Sequence, residues 1–272
     1  MIGGVLGPLG WELRKLAAQK RTYLGLVAAL LTPVVFVGAL SFQDKLPRDY
    51  PFGRFLHETG YATSLVLLGF VSIWLFPLLV SLVAGDIFAS EDHNGTLKTI
   101  LTRSVDRGEA FAAKAIAAAL YSLAILTLMA VSAIVVGGAK FGFRGLTSLS
   151  GEQYSSGHAL GLVAISWLLI VLPVLAFTAI AVFFSVATRN SAAGVVIPVF
   201  VALAMSLVGA LNGVGELRHY LLTTQFEAFH GLFHAPRYDA QVFRALWVSA
   251  IYAAVPLVGA LILFRRRDIT SG

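Results

Sequence analysis

Six apolar runs, interrupted by a single charge at Lys114, constrain this 272-residue chain: residues 22–42, 62–84, 110–138, 159–187, 191–212 and 245–264. Each is long enough to cross a hydrocarbon layer of about 30 Å as a helix. Inside lipid a segment must satisfy its own backbone hydrogen bonds, so runs of this length fold as α-helices. With 58% hydrophobic and only 12% charged residues, the expected fold is all-α: a polytopic membrane protein forming one transmembrane domain over residues 1–272. A hydrocarbon layer, rather than a water-soluble core, absorbs that much apolar surface.

An even number of spans puts both termini on one side. Assigning that side to the cytoplasm gathers Arg14, Lys15, Lys20, Arg21, Lys98, Arg103, Arg107, Lys114, Arg189 and Arg265 to Arg267 there, twelve of the twenty basic residues. The positive-inside bias therefore predicts a multi-pass protein of the cell (plasma or inner) membrane with cytoplasmic termini. The formal charge of +6 has the same origin. Its basic residues flank apolar runs instead of forming a patch interleaved with aromatics, which argues against nucleic acid as a partner. Membrane lipid is the expected surrounding. The chain has no cysteine, which excludes disulfides and thiolate metal sites.

Residues 1–21 carry Val5, Leu6, Leu9, Leu13 and Leu16 with Trp11 against Arg14, Lys15, Lys20 and Arg21. That pattern predicts an interfacial helix lying in the membrane surface before the first span. Pro33, Pro77, Pro173, Pro198 and Pro256 fall in five of the six spans, where each removes a backbone hydrogen bond and can kink the helix. Gly157/Gly161 and Gly209/Gly213 are small residues four apart, the spacing that allows close helix approach in membranes. Residues 214–243 are too interrupted by polar groups to span. With Leu217, Tyr220, Leu221, Phe226, Phe229, Leu232 and Phe233, they read as a segment that dips into the outer leaflet or packs over the bundle.

The polar island at residues 85–109 is the part of the chain that reads as a contact surface. Glu91, Asp92 and His93 precede the turn dipeptide Asn94-Gly95, followed by Thr96-Leu97-Lys98-Thr99-Ile100-Leu101. Leu97, Ile100 and Leu101 share one face of a short helix. Asp106 and Glu109 stand in capping-box spacing, so a new helix starts near Arg107. This order of acidic residues, GTLK, LT, a basic residue and then a helix bearing Lys114 resembles the cytoplasmic loop of type 2 ABC exporter permeases. The resemblance implies that the loop holds a short cytoplasmic coupling helix between spans two and three, seated on a separate ABC ATPase subunit. Glu91, Asp92 and Lys98 would then make charge-assisted contacts to that ATPase. Leu97, Ile100 and Leu101 would fill its groove, and His93, Asn94, Gly95 and Thr96 would complete the contact. It further implies pairing with a second permease copy, as a homodimer, and re-entrant helices in the region of residues 214–243.

No ionisable residue occupies the middle of any span, which argues against proton- or ion-coupled transport. There is no G-x-x-x-x-G-K-[ST] loop to cradle phosphates, so ATP and Mg belong to the partner and this chain carries no cofactor. It is therefore read as a non-enzyme. Leu149-Ser150-Gly151-Glu152-Gln153 matches the signature string of ABC ATPases but has no nucleotide-binding fold around it. Glu227, His230 and His234, with His219 nearby, have a spacing that could hold a metal on one helical face, but such histidines are more often interfacial polar residues in an aromatic-rich segment; the reading adopted has no metal and no catalytic residue. Uncharged spans favour amphipathic or hydrophobic cargo, such as a drug, peptide or lipid-like molecule. A gradient-driven carrier and a non-transporting scaffold or immunity protein remain the alternatives.

Overall fold

The computed structural model describes residues 4–43, 50–93, 106–211, 213–234 and 237–266. Helix α1 (Leu6–Ala17) leads into α2 (Lys20–Ser41), and α3 (Gly60–Ala84) is followed by the short α4 (Ala89–His93). Then come α5 (Arg107–Phe141), the strands β1 (Leu146–Thr147) and β2 (Gln153–Tyr154), α6 (Ser156–Leu169), α7 (Val171–Thr188), α8 (Ser191–Ala210), α9 (Leu222–Gln225) and α10 (Asp239–Arg265). Six helical stretches are long and apolar enough to cross a membrane: residues 20–41, 60–92, 107–141, 156–188, 191–210 and 239–266. The chain is thus all-α in its main architecture and has the makeup of a multi-pass membrane protein. The expected coupling helix over residues 97–101 lies outside the described residues.

Most spans run beyond their apolar runs, and two of these begin at a capping side chain, Thr59 before α3 and Asp106 before α5. Asp106 is the N-cap of α5, its Oδ2 accepting from the Gly108 N–H at 2.7 Å. It takes the second free donor of the helix, not the third that a capping box uses, and among the described residues no reciprocal bond from Glu109 accompanies it. The fourth span is broken between α6 and α7. Pro173 lacks the N–H that would bond the Leu169 carbonyl, and its ring crowds that same carbonyl, so the first helix ends there. Pro33, Pro77, Pro198 and Pro256 stay inside continuous helices.

Helices α3 and α7 form the centre of the bundle, with α2, α8 and α10 outside them carrying exposed Leu, Val and Ile side chains. Buried hydroxyls tie the spans together: Trp167 Nε1 donates to Ser64 Oγ (3.1 Å), and Thr178 Oγ1 to Ser122 Oγ (2.8 Å). In an apolar surrounding such pairs satisfy polar groups that water cannot reach. Closest backbone approach occurs at Gly60 against Gly137 and at Gly85 against Gly194, where a Cβ on either partner would run into the other's main chain. Gly157, Gly161 and Gly213, expected to serve this purpose, have open space where a Cβ would stand, and Gly209 meets only a leucine methyl. Spacing within one helix does not say which face meets a neighbour.

The bundle has two poles. One carries α1, α4, the start of α5 and the end of α10, where Arg107 Nη1 donates to the Arg265 carbonyl at 2.9 Å. The far pole carries the turn of residues 50–59, the hairpin, residues 213–234 and the start of α10. There Gly60 N–H donates to Gly142 O (3.0 Å), and Leu149 N–H to Phe233 O (3.2 Å). Residues 149–152 form the tip of the β1–β2 hairpin, with Ser148 N–H donating to Glu152 O at 2.7 Å and Gly151 at φ +89°. The LSGEQ string is a turn at the far pole.

Segment 213–234 packs into the bundle. Phe226, Phe229 and Phe233 are fully buried, with the Phe226 ring 6.5 Å from Phe76 and 5.9 Å from Phe177. Phe76 stands sixteen residues along α3, about 24 Å from its start at 1.5 Å per residue. The segment therefore enters the bundle from the far pole and turns back, while Leu217 and Tyr220 stay exposed.

Candidate functional site

The ion pairs described in this chain converge at the pole of the termini. Lys114 on α5 is the most deeply buried of these charges, its side chain 1% exposed. Burial of an ammonium is tolerated when counter-charges and hydrogen bonds replace its water. Lys114 Nζ has both: it donates to Glu12 Oε1 at 3.0 Å, contacts Glu91 Oε1 at 2.6 Å and reaches the Ile87 carbonyl at 3.4 Å. It also stands 5.7 Å over the Phe88 ring. Lys15 Nζ completes a four-membered arrangement, donating to Glu12 Oε1 at 2.7 Å and to Glu91 Oε1. Two carboxylates and two ammoniums thus share two oxygens with no net charge. Beside them Arg21 pairs with the buried carboxylate of Asp86.

Each element brings its charge there for a local reason. On α1, Glu12 and Leu16 share the buried face while Leu6, Trp11 and Leu13 are exposed; the charged pair Glu12/Lys15 at i, i+3 lies toward α5. Helix α4 is seated on α7 by Ser185, whose Oγ accepts from both the Phe88 and Ala89 N–H groups at 3.1 Å. That satisfies two backbone donors in a buried place and directs Glu91 inward. Lys114 is held in an alanine-rich stretch, where Ala113, Ala117 and Ala118 let neighbouring helices close around it. Burial works against the charge of Lys15, but the hydrogen bonds and charges of Glu12 and Glu91 outweigh it and hold its pKa above the ordinary 10.5.

Among the residues expected to contact an ATPase, Glu91 is buried and engaged within the chain, and Asp92 is half-buried beside it. His93 ends α4, and its side chain is not among those described. Asn94, Gly95, Thr96, Leu97, Lys98, Ile100 and Leu101 lie outside the described residues. Asp106 and Glu109 open α5 on the other side of that stretch. Glu12, Lys15, Arg21 and Asp86 carry much of the charge cluster and were not singled out as site residues from the sequence. A signal was available: Glu12 is the one acid in the basic leader, and Lys114 the one charge in the six apolar runs.

At the far pole, His234 Nδ1 lies 3.0 Å from the His230 carbonyl, and the His230 ring stacks on Phe52. Among the described residues no three histidine or acidic side chains gather closely enough to hold a metal ion.

Comparison with known proteins places this architecture in a family. The family model described as "Protein of unknown function (DUF2705)" matches residues 28–270. The chain belongs to that family. Asp86, Glu91 and Lys114 lie within the stretch matched to DUF2705, whereas Glu12, Lys15 and Arg21 precede it. The chain is also similar to the uncharacterized protein YhcI of Bacillus subtilis (strain 168), 23% identical over 237 residues covering 84% of this chain and 73% of that protein. The DUF2705 match covers five of the six apolar helices in full and the first from residue 28 onward, and its description leaves function to be argued from the chain itself.

Proposed function

We propose that this chain is the membrane-spanning permease subunit of an ATP-driven exporter, energised by a separate ABC ATPase bound at the loop that contains residues 94–105. The observation that carries this reading is the buried cluster of Glu12, Lys15, Glu91 and Lys114. It holds both limbs of that loop, α4 and the start of α5, against α1 and the bundle. A loop rooted in this way passes a push at its tip to α3 and α5 as rigid bodies, which is what a two-state transport cycle requires. In this reading Glu91 is part of the rigid base. Asp92, Lys98 and the apolar face of Leu97, Ile100 and Leu101 make the contact. Helix α1, with Leu6, Trp11 and Leu13 exposed, lies in the membrane surface. Both termini are cytoplasmic, and the outer faces of α2, α8 and α10 meet lipid and a second permease copy. The cargo is amphipathic or hydrophobic.

The deciding experiment is affinity purification of the tagged chain from solubilised membranes, with bound proteins identified and assayed for ATP hydrolysis. A stoichiometric ATPase lost on replacing Leu97 and Leu101 by Asp supports the reading. Recovery of the chain without any ATPase sinks it.

One observation favours a second reading. Lys114, Glu91 and Glu12 form a buried acid–base set at the end of the spans, chemistry suited to a proton-coupled carrier. Purified chain in liposomes that dissipates an imposed pH gradient without an ATPase, with the flux abolished in Lys114→Met, would move that reading forward.

A further inference from the structure

A cleft of about 260 Å³ opens at the far pole between residues 218–234 and the first two turns of α10. Arg218 and Arg244 line it together with His219, His234, Gln225 and Glu227. Neither arginine has an ion-pair partner within 4 Å among the described residues, and Glu227 supplies the one negative charge of the lining. His230 also lines it, and burial and the neighbouring His234 push its pKa down to about 4. The lining therefore carries an excess of positive charge, from two guanidiniums whose planar forks suit phosphate oxygens.

The cleft is smaller than the roughly 300–1,000 Å³ of pockets that enclose whole drug-sized ligands. It suits a headgroup better than a complete amphiphile. Its border bears the mark of a membrane–water boundary, with Tyr220 and Trp247 exposed and their rings 5.8 Å apart, since aromatic residues of this kind collect at headgroup level. From that border Trp247, Ile251 and Val255 descend α10 at four-residue spacing, all exposed, so they form one apolar track along the helix.

From the charged cleft, the aromatic border and the apolar track, we propose that the far pole holds a specific site for an anionic phospholipid. Its phosphate is bridged by Arg218 and Arg244, and one acyl chain lies along Trp247, Ile251 and Val255. The site is independent of any ATPase and stands whichever transport reading is right.

The test is native mass spectrometry of the delipidated, detergent-purified full chain titrated with phosphatidylglycerol, phosphatidylcholine or inorganic phosphate. The wild type should retain one phosphatidylglycerol in preference to phosphatidylcholine, and Arg218→Gln/Arg244→Gln should weaken that binding at least about tenfold, a loss of about 1.4 kcal/mol or more. Gln241→Glu, which removes no arginine and adds a negative charge to the lining, should weaken it in the same direction. Arg189→Gln at the other pole should bind as the wild type does. Equal retention by wild type and both cleft variants, or equal binding of the two lipids, overturns the proposal. Displacement of phosphatidylglycerol by millimolar inorganic phosphate assigns the cleft to a soluble phosphate and overturns the lipid assignment.

Discussion

Lys114 and Glu12, 102 positions apart in the chain, meet at 3.0 Å beside Glu91 of α4. The contact fastens the N-terminal helix to α5, and Glu91 fastens α4 to the same ammonium. Removing one member of so buried a set leaves its partners charged and without compensation.

Lys114→Met should therefore lower stability by about 3–5 kcal/mol, read as a fall in the thermal midpoint of the purified chain. Adding Glu91→Gln to Lys114→Met should cost much less than the two single losses combined, because the pair is one unit. Additive losses would mean that the two groups act independently.

Ser185→Ala withdraws the acceptor shared by the Phe88 and Ala89 N–H groups. A buried donor left without a partner costs about 1–3 kcal/mol, so α4 should loosen from α7. Hydrogen exchange at residues 88–92 should quicken while the core of α3 remains protected.

Gly194→Ala should destabilise the bundle, since the added methyl group meets the main chain at Gly85. Gly161→Ala, with open space around it, should be neutral or slightly stabilising through better helix propensity. Thermal midpoints of the two variants, measured side by side, give the comparison.

The pH dependence of α1 docking follows from Lys15. Its folded pKa lies above the unfolded 10.5, so its contribution is complete below pH 10.5 and is lost as pH rises through the folded value. Docking should be flat between pH 6 and 9 on this account and weaken only above about 10.5. Because the chain has no native cysteine, a single Leu6→Cys carrying a spin label reports release of α1 directly. A transition near neutral pH would show that another group governs docking.

Substitution of Ser150 and Glu152 should leave any ATP-dependent activity of the complex unchanged. Both residues belong to the hairpin tip at the far pole, away from the loop proposed to meet an ATPase. An ATPase assay of the co-purified complex checks this.

The number and placement of the spans were legible in the sequence because a hydrocarbon layer selects apolar runs of a fixed minimum length. Local end signals were legible too: Asp106 caps α5 as its type and position predict, although it does so through the Gly108 N–H and, among the described residues, neither bond of the expected capping box forms. Pairings between distant parts were not. Glu12 and Lys114 each stand out in a linear reading, but nothing in one chain's pattern says that α1 folds back against α5 and makes them partners. The same holds for glycine, where the helical spacing of Gly157 and Gly161 suggested close contact that the bundle makes instead at Gly60/Gly137 and Gly85/Gly194. Secondary structure and membrane placement follow from short-range backbone and solvation energies that each segment carries alone. Which charges become buried partners depends on how helices cross, and only the tertiary structure decided that.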